Sequence, residues 1–227
     1  KVITKFLKYM SANKEITLNL LQNTFADAHE ISHESFDINS TRTDSNINYD
    51  KKIINLFNNK KLTKSAVLVP ITFENNSANI ILTYRSAKLK DHAGQISFPG
   101  GRIDKKDLSP IDTAIRETKE EIGIEKKYIN ILGNLDNYVT GTGFQILPII
   151  ANVIGGYDIS INSKEVESVF KLPMSILMNK KNHDIQEKLY YNGEISYHYN
   201  FNVINYENHF IWGATASILL NLYEKLK

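Results

Sequence analysis

Hydrophobic and polar positions alternate with two different periods along the chain. Residues 1–31 place Phe6, Leu7, Met10, Leu18, Leu21 and Phe25 among polar residues at helical spacings, which predicts an N-terminal helical extension. Residues 32–50 are rich in Ser, Thr, Asn and Asp and read as a loop or linker, and KKIINLFNN (51–59) suits a short helix. The period then shortens. AVLVPITF (66–73) and NIILTYR (79–85) read as strands joined through the turn-prone ENNSA, hence a hairpin. YINILGNLDNYV (128–139) and FQILPIIANVI (144–154) read as strands on either side of TGTG. A short helix or turn around Pro173 is expected within 164–179, a hairpin turning at Asn192 and Gly193 within 188–201, and an amphipathic helix over 215–226. Strands, a helix, more strands and a closing helix predict an α/β or α+β sandwich rather than a repeated βαβ array. The division is an extension and linker over 1–50 and one domain over 51–227.

The best-marked helix is 110–122. Ser109 suits the N-cap, Pro110 the first helical position, Asp112 the acid of a capping box, and Gly123 a left-handed C-cap. At about 100° per residue, Ile111, Ala114, Ile115, Thr118 and Ile122 share one face, and Glu117, Glu120 and Glu121 share another. Like charges at i and i+4 cost on the order of 0.2–0.5 kcal/mol, and Arg116 offsets only part of this. A divalent cation reverses the sign of that cost, because clustered oxygens are the ligands that Mg²⁺ and Mn²⁺ prefer.

Composition narrows the chemistry. The formal net charge is +2, from 27 basic and 25 acidic residues of 227, with no long basic stripe, so a nucleic-acid partner is not expected, while a small anionic substrate stays open. Without cysteine there is neither a disulfide nor a thiolate ligand or nucleophile. His29 and His33 stand at i and i+4 with no third ligand nearby, which does not make a zinc site. No apolar run approaches the roughly 20 residues needed to cross a bilayer. The basic, amphipathic KVITKFLKYM is soon followed by Glu15, Asp27 and Glu30, which favours a surface or packing helix over a targeting peptide. A soluble, cytoplasmic protein is expected, with an organelle left open.

GGRIDKKDLSPIDTAIRETKEEIGI (100–124) resembles the Nudix box, the loop–helix–loop signature of hydrolases of nucleoside diphosphates linked to another moiety. RETKEEIGI carries the match, with Thr118 at a usually aliphatic position. Upstream, the family's earlier glutamate falls on Leu108, and Asp104 and Asp107 are the nearby acids. The spacing from Gly101 is one residue longer than the general pattern. That spacing and LTYRSAKLKDHAGQISFPGG (82–101) resemble the coenzyme A pyrophosphatases of the superfamily, with Lys90 in place of an arginine. The likeness extends over roughly residues 63–220.

The resemblance implies an α/β/α sandwich with a mixed sheet and metal-dependent hydrolysis of the pyrophosphate of coenzyme A or its thioesters. Another nucleoside diphosphate derivative, such as ADP-ribose or NADH, is the alternative, and a non-catalytic ligand- or RNA-binding scaffold a third reading. It further implies Glu117, Glu120, Glu121 and the Gly101 carbonyl as ligands of Mg²⁺ or Mn²⁺. Arg116 would orient a glutamate, and Arg85, Lys90, Phe98, Gly100 and Arg102 would contact substrate. The general base is open between Glu117 or Glu120 in the box and Glu165 or Glu167 in a later loop. Lys88 and His92 flank the substrate segment, and a homodimer is compatible with the family.

Overall fold

The computed structural model describes residues 16–26, 31–36, 41–43, 62–75, 77–191 and 196–227. The central strand is β2 (Thr63–Glu74), and it pairs in parallel with β8 (Phe144–Val153) from Thr63↔Phe144 to Thr72↔Val153. Both are apolar on both faces and buried over most of their length, as strands covered on two sides must be. The other edge of β2 is shared. Its last residues form the expected hairpin with β3 (Ser77–Arg85), while Ser65–Val67 pair with a short β5 (Gly100–Arg102). Between the two pairings the backbone link is Leu68 N–H to the Pro99 carbonyl, 2.9 Å. The sheet parts at this point, and the site lies there.

The remaining strands of the mixed nine-stranded sheet are β1 (Thr41–Arg42), β4 (Ile96–Ser97), β6 (Ile129–Asn134), β7 (Asn137–Val139) and β9 (Val166–Pro173). β10 (His183–Tyr191), β11 (Ser196–Tyr206) and β12 (His209–Trp212) form a separate antiparallel sheet. Side-chain alternation assigns the layers. Ala66 and Leu68 pack with Leu147, Ile149 and Ala114, the last on helix α2 (Pro110–Ile122). Val69, Ile71 and Ile150 join the larger core with helices α1 (Leu18–Thr24), α3 (Met174–Met178) and α4 (Gly213–Leu226). The result is an α/β/α sandwich.

Helix α2 has the expected bounds, with the Ser109 hydroxyl accepting from Asp112 N–H and Gly123 left-handed at φ 79°. The reciprocal half of the capping box is replaced by a Ser109 hydroxyl bond to the Asp112 carboxylate, 3.0 Å. Other expectations are corrected. Residues 166–173 are a strand, because Val166, Val169, Phe170 and Leu172 pair along β3, and only 174–178 are helical. The 128–139 run breaks at Asp136, whose N–H donates to Asn221 Oδ1 on α4 and whose carboxylate takes Arg42, Asn221 and Lys225. The 188–201 hairpin is longer at both ends, and its turn at Asn192 and Gly193 lies outside the described residues. β12 was not anticipated, and Thr41–Arg42, expected as linker, add a short parallel strand to β7. Of the helical extension expected over 1–31, Leu18–Thr24 is helical, while residues 1–15 and 27–30, like the short helix expected over 51–59, lie outside the described residues.

Within the N-terminal stretch, Leu21 is fully buried and Ile16 and Phe25 nearly so, in one core with Leu219 and Leu222 of α4. Leu21→Ala should therefore destabilise the protein by about 2–5 kcal/mol in urea unfolding. A loss below about 1 kcal/mol would show that α1 does not contribute to the core.

Candidate active site

Helix α2 lays Glu117 and Glu121 one turn apart on the side facing β5, and Glu165 arrives from the loop before β9. One carboxylate oxygen of each lies within 4.8 Å of the others. The third member is brought in by pairing: β9 runs antiparallel to β3, and a register shift after Tyr84 sets Arg85 opposite Val166. Glu121 is only 3% exposed. Its Oε2 accepts from Gly100 N–H at 3.3 Å, and its Oε1 lies 4.0 Å from the Arg85 guanidinium. Burial outweighs these contacts and pushes its pKa up to about 8, and burial also raises that of Glu117.

The two glycines of β5 are close-approach positions. A Cβ at Gly100, whose φ is +156°, would sit 2.5 Å from the Ala66 carbonyl oxygen. A Cβ at Gly101 would sit 2.5 Å from the Glu117 carboxylate. Arg116 is heavily bonded. Its Nε and Nη2 donate to the two oxygens of Asp107 at 3.0 and 2.9 Å, and its Nη1 donates to Glu117 Oε1 at 2.7 Å and Glu120 Oε2 at 3.3 Å. Asp107 also accepts from the Thr113 hydroxyl, and the Arg116 bond holds its carboxyl well below the usual carboxylate range. Asp107 thus supplies the acidity that Leu108, 87% exposed, does not.

A cleft of about 570 Å³ adjoins the carboxylates, sharing Arg85, Gly100 and Gly101 with them. Of the residues expected to contact substrate, Arg85, Phe98, Gly100 and Arg102 line it, as does His92. Arg102 stacks over the Phe144 ring at 5.2 Å. Lys88 and Lys90 are exposed in the preceding loop and do not line it. Arg85 Nε is buried without a hydrogen-bond partner, an unmet donor beside the carboxylates. Glu120 stands apart, exposed and tied to Arg116, and Glu167 is exposed on β9. His33 lies in a short 3-10 turn, and His29 outside the described residues. Sequence reasoning did not anticipate Tyr199, Phe201 and Trp212 in the cleft lining, and it offered Glu165 as a candidate base without grouping it with Glu117 and Glu121.

The fold and this carboxylate helix define a class, and comparison with known proteins agrees: the NUDIX domain model matches residues 62–191, more than half the chain. The chain belongs to the Nudix family. It is 34% identical over 160 residues to the uncharacterized Nudix hydrolase NudL of Citrobacter koseri, covering 70% of this chain and 80% of that one. A likeness of 34% over 165 residues holds to the protein of the same name from Yersinia enterocolitica, with 71% and 80% covered. Among solved structures, the NUDIX domain of Shewanella oneidensis NrtR complexed with ADP ribose is similar at 22% identity and TM-score 0.41, covering 56% of this chain and 80% of that one. A Caenorhabditis elegans Ap4A hydrolase is similar at 22% and TM-score 0.42, covering 48% and 78%.

Two predictions follow from the buried carboxylates. In the unfolded chain Glu121 ionises near 4.5, in the fold near 8. Between these values the folded state holds a proton that the unfolded state has released, so stability of the metal-free protein falls as pH rises through the window. Urea unfolding should show a loss of a few kcal/mol between about pH 5 and 8.5, flattened in Glu121→Gln. A flat profile in the unsubstituted protein would contradict the burial account. Gly101→Ala should leave the fold intact, because the clashing atoms end a flexible side chain, but displace Glu117 and weaken divalent-cation binding by roughly tenfold in a Mn²⁺ titration.

Proposed function

We propose that the protein hydrolyses the pyrophosphate bond of coenzyme A or an acyl-coenzyme A, giving 3′,5′-ADP and 4′-phosphopantetheine or its acyl form. The observation that carries the reading is the juxtaposition of mutually repelling, largely buried carboxylates with a cleft bearing arginines. The coenzyme A assignment rests on residues 82–101 and their resemblance to that subfamily.

The donor set fits a hard divalent cation: three carboxylates converge, with neither imidazole nor thiolate among them. In this reading Glu117, Glu121 and Glu165 hold Mg²⁺ or Mn²⁺, which supplies charge neutralisation at the phosphates and an acidified water. Arg116 holds Glu117 through its 2.7 Å bond while Asp107 grips its other edge. Glu120 serves to steady Arg116 rather than to ligate. Glu117 and Glu165 are then the candidates for receiving the proton of the attacking water. Arg85, with its unmet Nε donor, and Arg102 bind phosphate oxygens, and Phe98 lines the same cleft. Lys90, outside the cleft, reaches substrate only if the loop carrying it closes.

Turnover of coenzyme A, an acyl-coenzyme A, ADP-ribose and NADH with Mg²⁺ and with Mn²⁺ tests the reading. Coenzyme A or its thioester should have the highest kcat/KM, and Glu121→Gln should remove most turnover without unfolding the protein. Dephospho-coenzyme A should be poorer by about ten- to a hundredfold, since losing one charge-assisted bond costs about 1.5–3 kcal/mol. Replacing Arg85, Lys90 or Arg102 by alanine should identify the cation that reads the 3′-phosphate by erasing that difference. Preference for ADP-ribose or NADH would replace the substrate within the same chemistry, and binding without turnover of any of them would favour a scaffold role.

A further inference from the structure

The loop between β8 and β9 carries a residue that touches both parts of the carboxylate group without belonging to it. Asn162 N–H donates to the Glu121 carbonyl at 2.9 Å, taking up one of the carbonyls that the end of α2 leaves without a helical partner. Its own carbonyl accepts from Glu165 N–H at 3.0 Å and Val166 N–H at 2.9 Å. Its side chain divides its work: Oδ1 accepts from Lys164 N–H at 3.2 Å, and Nδ2 donates to Glu165 Oε1 at 3.1 Å. The Lys164 bond fixes which end of the amide is oxygen, so the donor toward Glu165 is assigned by the network itself.

We propose that Asn162 is a positioning residue for the reaction, setting the Glu165 carboxylate against Glu117 and Glu121 through its amide while its backbone ties the same loop to the end of α2. The inference rests on the reading of the three carboxylates as a cation site. The choice of side chain has a physical reason. A carboxylate that is to hold a cation must be fixed in direction without being neutralised. An amide donor occupies one lone pair of Oε1 and adds no charge, leaving Oε2 free, whereas a lysine or arginine would compete with the cation. Glu117 is held differently, by the Arg116 guanidinium, whose charge is already shared with Asp107 and Glu120. Among the described residues no basic side chain pairs with Glu165; its backbone is pinned by Ser86 N–H to its carbonyl at 2.8 Å, and its side chain by Asn162.

A double-mutant cycle with Asn162→Ser and Glu165→Gln tests this, read by steady-state kinetics on coenzyme A and, independently of activity, by calorimetric titration with Mn²⁺. Serine retains the short acceptor that turns back to Lys164 N–H but does not reach Glu165. Asn162→Ser should lower kcat by about ten- to a hundredfold and weaken Mn²⁺ binding by about tenfold, with KM changed by less than about threefold and the metal-free melting temperature within a few degrees of wild type. In the Glu165→Gln background it should add almost nothing to either loss. Asn162→Asp, which keeps shape and acceptor but exchanges the donor for a like charge, should lower kcat at least as far. Wild-type kcat and Mn²⁺ affinity in Asn162→Ser, or losses that add fully to those of Glu165→Gln, would overturn the positioning role while leaving the cation site standing. A Glu165→Gln protein equal to wild type in both measurements would remove the site reading and the inference together.

Discussion

The site is organised around one costly placement, a glutamate buried at the last turn of a helix. Glu121 lies two residues before the left-handed cap at Gly123, where the helix end carries partial negative charge and an ionised carboxylate is least welcome. A single backbone N–H and a guanidinium at 4.0 Å do not compensate that burial, and Glu117 and Glu165 add negative charge from two sides. On the proposed reading a hard cation completes this arrangement with the ligand type already present. The close approach of β5 has two sides: glycine at 101 lets the strand backbone come against the Glu117 carboxylate, and glycine at 100 lets it come against β2 at Ala66 and Val67.

The cleft is assembled from a longer span of chain than the carboxylates. Its cationic end comes from β3 and β5, where the shared edge of β2 divides. Its far wall, Tyr199, Phe201 and Trp212, comes from β11 and β12, beyond the residues that match the family model. Phe201 and Trp212 meet edge to face with centroids 5.5 Å apart, a rigid apolar surface at little entropic cost. The carboxylate cluster thus lies within the stretch that the family model matches, and these three aromatic residues lie after it.

Helix α2 was legible because each of its signals is local: serine, proline and glycine at its ends and a helical period between. The central hairpin and the closing helix were legible for the same reason. The 166–173 strand was not, because its closing proline and the helical segment after it dominate the pattern while its pairing with β3 is set by tertiary context. The site shows the same limit: the resemblance offered Glu165 as one candidate base in a later loop, but only the β3–β9 pairing sets it beside Glu117 and Glu121. The three glutamates of the box were grouped by helical angle and by the resemblance, neither of which shows their burial. Angle places Glu117, Glu120 and Glu121 in one arc, but only packing shows that β5 covers Glu117 and Glu121 and leaves Glu120 to solvent with Arg116. The aromatic wall had no local signature at all, being three side chains that only the fold brings to one cleft.

On the proposed reading, the buried carboxylates exchange a proton for a cation. Calorimetric titration of the metal-free protein with Mn²⁺ near pH 7, repeated in buffers of different ionisation enthalpy, measures both events at once. Saturable binding is expected, with release of about one proton per cation that diminishes as the pH is raised past about 9. Absence of binding, or binding at neutral pH with no proton released, would contradict it.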